Sequence, residues 1–235
     1  MRKQAFHILI SRLHKLAGVI IVIQVLFWAA GGIVMSVFPI KEVRSEHNLK
    51  PALALDSSIN YVESLAKVAN SKEVQSFGAG MITDQAVIHI TYKDDSTEVY
   101  HAKSGEKLSP FDEAWAQKIA LSDYNDQGTV SAVEWMTEDN LYYRGKLPVW
   151  KVSFDDAVNK ILYVSPETGR IAARRSTLWR VYDTLWMLHI MDYKTRGNHN
   201  NWFLIIASFM LFFFSLSGLI LLYFRLRKRD FKIFS

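Results

Sequence analysis

The chain has 235 residues, half of them hydrophobic, a formal charge of +5 and no cysteine. That composition excludes a disordered charged tail, and the missing thiols exclude disulfides, thiolate catalysis, iron–sulfur clusters and covalent cofactor attachment through Cys-x-x-Cys-His. The positive charge is no nucleic-acid signature: it sits in the two tails, while residues 41 to 201 carry 19 basic against 22 acidic residues and no basic, aromatic-studded face.

In chain order, residues 1 to 15 hold four Lys/Arg and no acid, and 16 to 40, Leu16 to Ile40, hold no charged residue over 25 positions. Such a run crosses a hydrocarbon core of about 30 Å. A cleaved signal peptide would have a shorter apolar region and an Ala-x-Ala-like site. None is found, so the segment is expected to remain as a first transmembrane helix.

Residues 41 to 55 read as a connector. Ser57 to Ala69 has apolar residues at Ile59, Val62, Leu65, Ala66 and Ala69, the spacing of a helix with one buried face, with Asp56 and Ser57 as caps. Gly78 and Gly80 end that signal. In "MITDQAVIHITYKDDSTEVYHAKSGEKL", Val87, His89 and Thr91 alternate with Ile88, Ile90 and Tyr92, and "KDDS" marks a turn, predicting a hairpin or meander. "SPFDEAWAQKIAL" then opens a second helix, with Ser109 and Asp112 in capping-box relation and Pro110 in the first turn. "TVSAVEWM", "LPVWKVSF" and "KILYVSPETGRIAA" are strands. "VYHAKSGEKL" and "LYVSPETGRI" share a strand followed by a Ser/Thr-Gly turn at Gly105 and Gly169, so 41 to 176 reads as two similar α+β units in tandem.

Residues 177 to 201 begin with "TLWRVYDTLWMLHIMDY", where Leu178, Tyr182, Leu185, His189 and Tyr193 form one stripe, an amphipathic helix expected at the membrane interface. A Gly/Asn-rich turn with His199 follows. Residues 202 to 224 carry no charge over 23 positions and form the second transmembrane helix; 225 to 235 are a tail with five Lys/Arg and one Asp. Basic tails stay in the cytoplasm, which puts the middle on the opposite side. The fold expected is an α+β membrane protein, two transmembrane helices flanking an extracytoplasmic domain.

Small residues at Gly18, Ala29 to Gly32, Ser208, Ser215, Ser217 and Gly218 suit close helix packing, and Gln24, the only amide of the first span, should face another helix. No Gly-rich dinucleotide fingerprint is present, and the tails are too short for a flavin or nicotinamide domain.

"VWKVSFDDAVNKILYVSPETGRIAARR" resembles the PepSY domain, with Ser165 where the family's pattern often has Asp. "RLHKLAG", "LWMLHIMD" and "SLSGLIL" look like the first-span, pre-span and second-span motifs of PepSY-associated transmembrane proteins, in the family's order. The resemblance implies a two-span protein of the bacterial inner membrane with a periplasmic PepSY-like domain. It further implies non-covalent bis-His haem b, a homodimer that supplies four helices, and transfer of electrons across the membrane to reduce ferric iron or a ferric chelate. The partners implied are membrane lipid, an electron donor, either a quinol or a cytoplasmic reductant, and a ferrous iron transporter.

His14, in the first motif, and His189, in the second, are the axial ligands this resemblance implies. By residue chemistry alone, His14 beside Arg12 and Lys15 also suits an interfacial anchor, and His189 near Trp179 and Trp186 suits an aromatic belt. His199 reads either as a solvated loop residue or as a second ligand or ferric contact. His7 lies two helical turns before His14 outside any motif; His47, His89 and His101 read as ordinary side chains. Separated by about 30 Å of hydrocarbon core, His14 and His189 cannot share one haem. Either each pairs with its equivalent across a dimer axis, or His189 and His199 hold a single outer haem. Asp183 and Asp192, flanking the His189 helix, are candidate oxygen donors to ferric iron. The alternative reading is a membrane-tethered PepSY binding or regulatory module without a redox centre.

Overall fold

The computed structural model describes residues 2–51, 53–68, 73–125 and 128–225. Expectations placed on Ala69 and on the tail after Arg225 lie outside these residues. The chain divides into a helical unit, Met1–Pro39 with Val181–Ser235, and an α+β unit, Ile40–Arg180.

In the helical unit, α1 (Arg2–Val37) and α6 (Trp202–Arg225) are each long and apolar enough to cross a membrane. The helix α1 starts well before Leu16 and stops at Val37 rather than Ile40, because Pro39 lacks an N–H and bars its predecessor from helical geometry. The less exposed side of α1 runs through His7, His14, Ile21 and Trp28, with Gly18 between and Gly31 just beyond, a seven-residue spacing that keeps one stripe in register along the helix. Leu204, Ala207, Leu211, Phe214 and Ser217 form the matching stripe of α6. A Cβ on Gly18 would meet the Phe214 ring at 3.1 Å, and one on Gly218 would meet His14 Cε1 at 3.3 Å; glycine at both places lets the rings lie against backbone. The outward sides stay apolar, with Val19 75% and Trp202 78% exposed.

The α+β unit begins with α2 (Ile40–Val43) and a 3₁₀ turn, Glu46–Asn48, inside the expected connector. The next helix, α3, spans Tyr61–Val68 and is capped by Asn60, whose Oδ1 accepts the Glu63 N–H at 3.2 Å. Asp56 and Ser57 do not cap it: Asp56 closes a local turn by accepting from the backbone and hydroxyl of Ser58 at 3.0 and 2.6 Å. Strands β1 (Val74–Ile82), β2 (Gln85–Tyr92) and β3 (Thr97–His101) form an antiparallel sheet in that order, and Gly78 and Gly80 lie inside β1. After α4 (Glu113–Asp123), strands β4 (Thr129–Met136), β5 (Val149–Asp155), β6 (Ile161–Val164) and β7 (Ile171–Arg175) form a second antiparallel sheet, also in chain order. Asp112 caps α4 by accepting the Trp115 N–H at 2.9 Å. Ser109, the expected cap, instead accepts the Val99 N–H at 2.9 Å and ties α4's approach to β3.

Strand β2 is buried on both faces, which explains its nearly unbroken apolar run. Ala86, Ile88, Ile90 and Tyr92 pack with Leu65 and Val68 of α3; Val87 joins Val99, the α4 residues Ala116, Ile119 and Ala120, and Val152, Leu162 and Val164 of the second sheet. Each fully buried Val or Leu stabilises the fold by about 1.5–3 kcal/mol.

The two Gly turns are alike in their hydrogen bonds. His101 N–H donates to Glu106 O and Gly105 N–H to His101 O; Ser165 N–H donates to Arg170 O and Gly169 N–H to Ser165 O. Both glycines have positive φ, 73° and 62°. His101 Nδ1 accepts the Ser104 N–H in the first turn where Ser165 Oγ accepts the Thr168 N–H in the second. The registers match too: β1 bulges between Val74 and Ser76, β4 between Val130 and Ala132.

The last helix before α6 is α5 (Thr177–Ile190). It carries Leu178, Tyr182, Leu185 and His189, but Tyr193 lies beyond its end.

Candidate functional site

Two histidine environments lie along the helical unit. His14 projects from α1 with its ring stacked on Phe214, centroids 4.3 Å apart and planes 7° from parallel. Its Nδ1 lies 2.8 Å from Ser217 Oγ, and that hydroxyl donates to Phe214 O at 2.7 Å. A hydroxyl has one hydrogen. In the tautomer with the proton on Nδ1, Ser217 accepts from His14 while it donates to the carbonyl, and Nε2 keeps its lone pair. This is the tautomer that a metal-binding imidazole needs, held by a hydrogen bond from its other nitrogen. The ring borders a groove of about 640 Å³ lined by Gly18, Val19, Val22, Val25 and Phe214, with Lys15 beside it.

His189 lies farther along α1, level with Trp28 and Gly31. At 1.5 Å per residue this is about 20–25 Å from His14. Gln24 and Trp28 donate to the carbonyls of Leu188 and His189 at 2.9 and 2.7 Å, which satisfies acceptors that the last turn of α5 leaves open. Gln24 thus faces another helix. The His189 ring lies between Trp28 and Trp186, centroids 6.2 and 6.3 Å away, the second nearly parallel at 3°. A Cβ on Gly31 would sit 3.6 Å from His189 Nδ1, a nitrogen that is buried and has no hydrogen-bond partner. His199 is exposed and packs edge-on against the opposite partner of that pair, Trp186, at 5.4 Å. Both of these histidines therefore flank one indole.

The two carboxylates flanking α5 belong to the framework. Asp183 is buried and paired with Arg196. Asp192 accepts the Thr195 hydroxyl and the backbone N–H groups of Lys194, Thr195, Gly197 and Asn198. The Thr195 hydroxyl first, then the Asn198 amide, hold its carboxyl far below the usual carboxylate range. The turn they build hands over to Asn201, which donates to Ile190 O at 2.8 Å and caps α6 by accepting the Leu204 N–H at 2.9 Å. Oxygen atoms so engaged have little left to offer a ferric ion. Among the described residues, no group of three His, Asp or Glu side chains is gathered as a metal cage.

An iron porphyrin asks less: one or two imidazoles beside an apolar slot. His14 offers an imidazole with glycines and a groove beside it, and the buried Nδ1 of His189 has no hydrogen-bond partner among the described residues. Ser217, Phe214 and Trp28 complete these environments, and none of them stands in a local motif with its histidine. Comparisons with protein-family models, with curated proteins and with solved structures give no match.

Proposed function

We propose that the chain is a PepSY-type protein of the bacterial inner membrane, with both tails cytoplasmic and the α+β unit periplasmic, that holds non-covalent haem b and passes electrons outward to reduce ferric iron for uptake. The observation that supports this most is the hydrogen-bond chain from His14 through Ser217 to Phe214 O, which leaves His14 Nε2 free beside an apolar groove. When bound, the haem supplies a reversible one-electron carrier inside the low-dielectric layer. The chain's own residues orient it. Ser217 fixes the His14 tautomer, Gly18 and Gly218 admit flat rings, and Lys15 suits a propionate. One electron from a quinol or a cytoplasmic reductant converts one ferric ion, free or chelated, to ferrous iron, which a transporter then carries inward. His14 is the imidazole that lines its groove, so a bis-His site there is a property of a homodimer, with His14 facing its equivalent.

The test is the full-length chain, produced with ample porphyrin precursor and purified in detergent. A b-type reduced spectrum is expected, with haem content lost in His14→Ala and retained in His47→Ala, a surface control. Colourless protein in every preparation overturns the reading. In that case the second reading holds, a membrane-tethered binding module, which the cleft of the α+β unit favours.

A further inference from the structure

We infer that the cleft between the two repeats of the α+β unit binds a small organic carboxylate. The cleft has a volume of about 470 Å³ and opens where the end of β1 and His89 of β2 meet the Gly169–Ile171 turn, the end of α4 and the segment around Lys50. That volume falls in the range of small-molecule sites.

Its charge is one-sided. Lys50, Arg170 and Arg174 line it against the single carboxylate of Asp123. Asp123 is already committed, gripped by Arg174 through Nε at 2.9 Å and Nη2 at 2.5 Å. Among the described residues, Lys50 Nζ donates to Leu121 O alone, at 2.8 Å. Among the described residues, no carboxylate pairs with Lys50 or with Arg170. Two uncompensated cations thus stand beside a guanidinium–carboxylate fork of the kind that recognises this anion.

The rest of the lining selects the body of the ligand. Met81, Ile82, Ile119 and Ile171 give an apolar floor. Gly80 keeps the space over His89 open, since a Cβ there would come within 3.6 Å of the imidazole Nε2. His89 itself is held neutral, so it adds hydrogen-bonding capacity without charge. A ligand that satisfies both cations and the floor has carboxylate ends and a methylene body; inorganic phosphate satisfies only the cations. The inference rests on the α+β unit alone and is independent of haem.

The experiment is calorimetric titration of the full-length chain in neutral detergent with adipate, with the uncharged adipamide and with inorganic phosphate. Adipate is expected to bind with unit stoichiometry and the other two not. Arg170→Gln and Lys50→Gln should each weaken adipate by about tenfold, as expected for loss of one charge-assisted contact. Lys146→Gln, whose amine pairs with Glu167 away from the cleft, should bind as the parent does. Circular dichroism verifies that the variants are folded; both cations are at the surface, so folding is expected to survive. Equal binding of adipamide or phosphate, no adipate binding, or adipate binding undiminished in the double variant would each overturn the inference.

Discussion

His89 sits in the middle of β2 with 8% of its surface exposed, on the strand face opposite Ile88 and Ile90. Burial, and then the charge of Arg170, push its imidazole down from 6.5 to about 4. The sign of the consequence follows from proton counting. The unfolded chain takes up a proton at His89 as pH falls through 6.5, whereas the folded chain resists until about 4, so His89's contribution to stability is intact above 6.5 and lost progressively toward 4. At about 1.4 kcal/mol per unit, and discounted because the ring still reaches the cleft, the swing is on the order of 2 kcal/mol. Urea unfolding at pH 7 and pH 4 should therefore show a shallower loss in His89→Gln than in the parent. Parallel pH profiles for the two proteins would contradict this. His14 shows the other use of an imidazole: there a hydroxyl engages Nδ1 and leaves Nε2 open to a ligand.

At the level of elements, the two Gly turns are alike in hydrogen bonding but not in crowding. A Cβ on Gly169 would lie 2.7 Å from Ile82 Cδ1 and 2.8 Å from Phe111 Cε2, at a φ of 62° that side chains avoid. Among the described residues, a Cβ on Gly105 meets Val68 Cγ1 alone, at 3.2 Å. Left-handed strain of about 1–2 kcal/mol applies to both alanine variants, and overpacking adds about 1–3 kcal/mol to Gly169→Ala. Thermal melts should rank Gly169→Ala clearly below Gly105→Ala; equal midpoints would mean that the core beside Phe111 yields freely. These turns were legible in the sequence because a tight Ser/Thr-Gly turn after an alternating strand has few geometries to choose from. The start of α3 was less so, since Asp56, Ser57 and Asn60 are all capable caps and only packing of Tyr61, Leu65 and Val68 on the sheet selects the last. Ser109 departs from its local signal for a related reason: a bond from Val99 ten positions away takes the place of the capping box. The same limit applies to the site. His14 and His189 stood out through short motifs, but Ser217, 203 positions from His14, joins it only through the seam of two helices.

For the whole chain, the proposed topology makes a demand that the lengths can meet. The uncharged part of α1, Leu16–Val37, is about 33 Å long at 1.5 Å per residue, matching a hydrocarbon core of about 30 Å. In the proposed topology the helical turns before it, with Arg2, Lys3, Arg12 and Lys15, are cytoplasmic, as the positive-inside bias requires. Under that proposal two crossings return the chain to the side on which it began, and the α+β unit is exposed on the other. His14 then lies at the inner boundary and the Trp28, Gly31 and His189 cluster at the outer one, which is the direction of electron flow proposed. A chain without cysteine lets this be read without background. Gln4→Cys and Lys146→Cys, both at exposed positions, provide one thiol each. In cells whose outer membrane has been permeabilised, a membrane-impermeant maleimide should label Lys146→Cys and spare Gln4→Cys, and in inverted inner-membrane vesicles the pattern should reverse. Labelling of both variants from one side would place the apolar helices outside a spanning arrangement, and the opposite pattern would reverse the orientation and direct the electrons away from the periplasm.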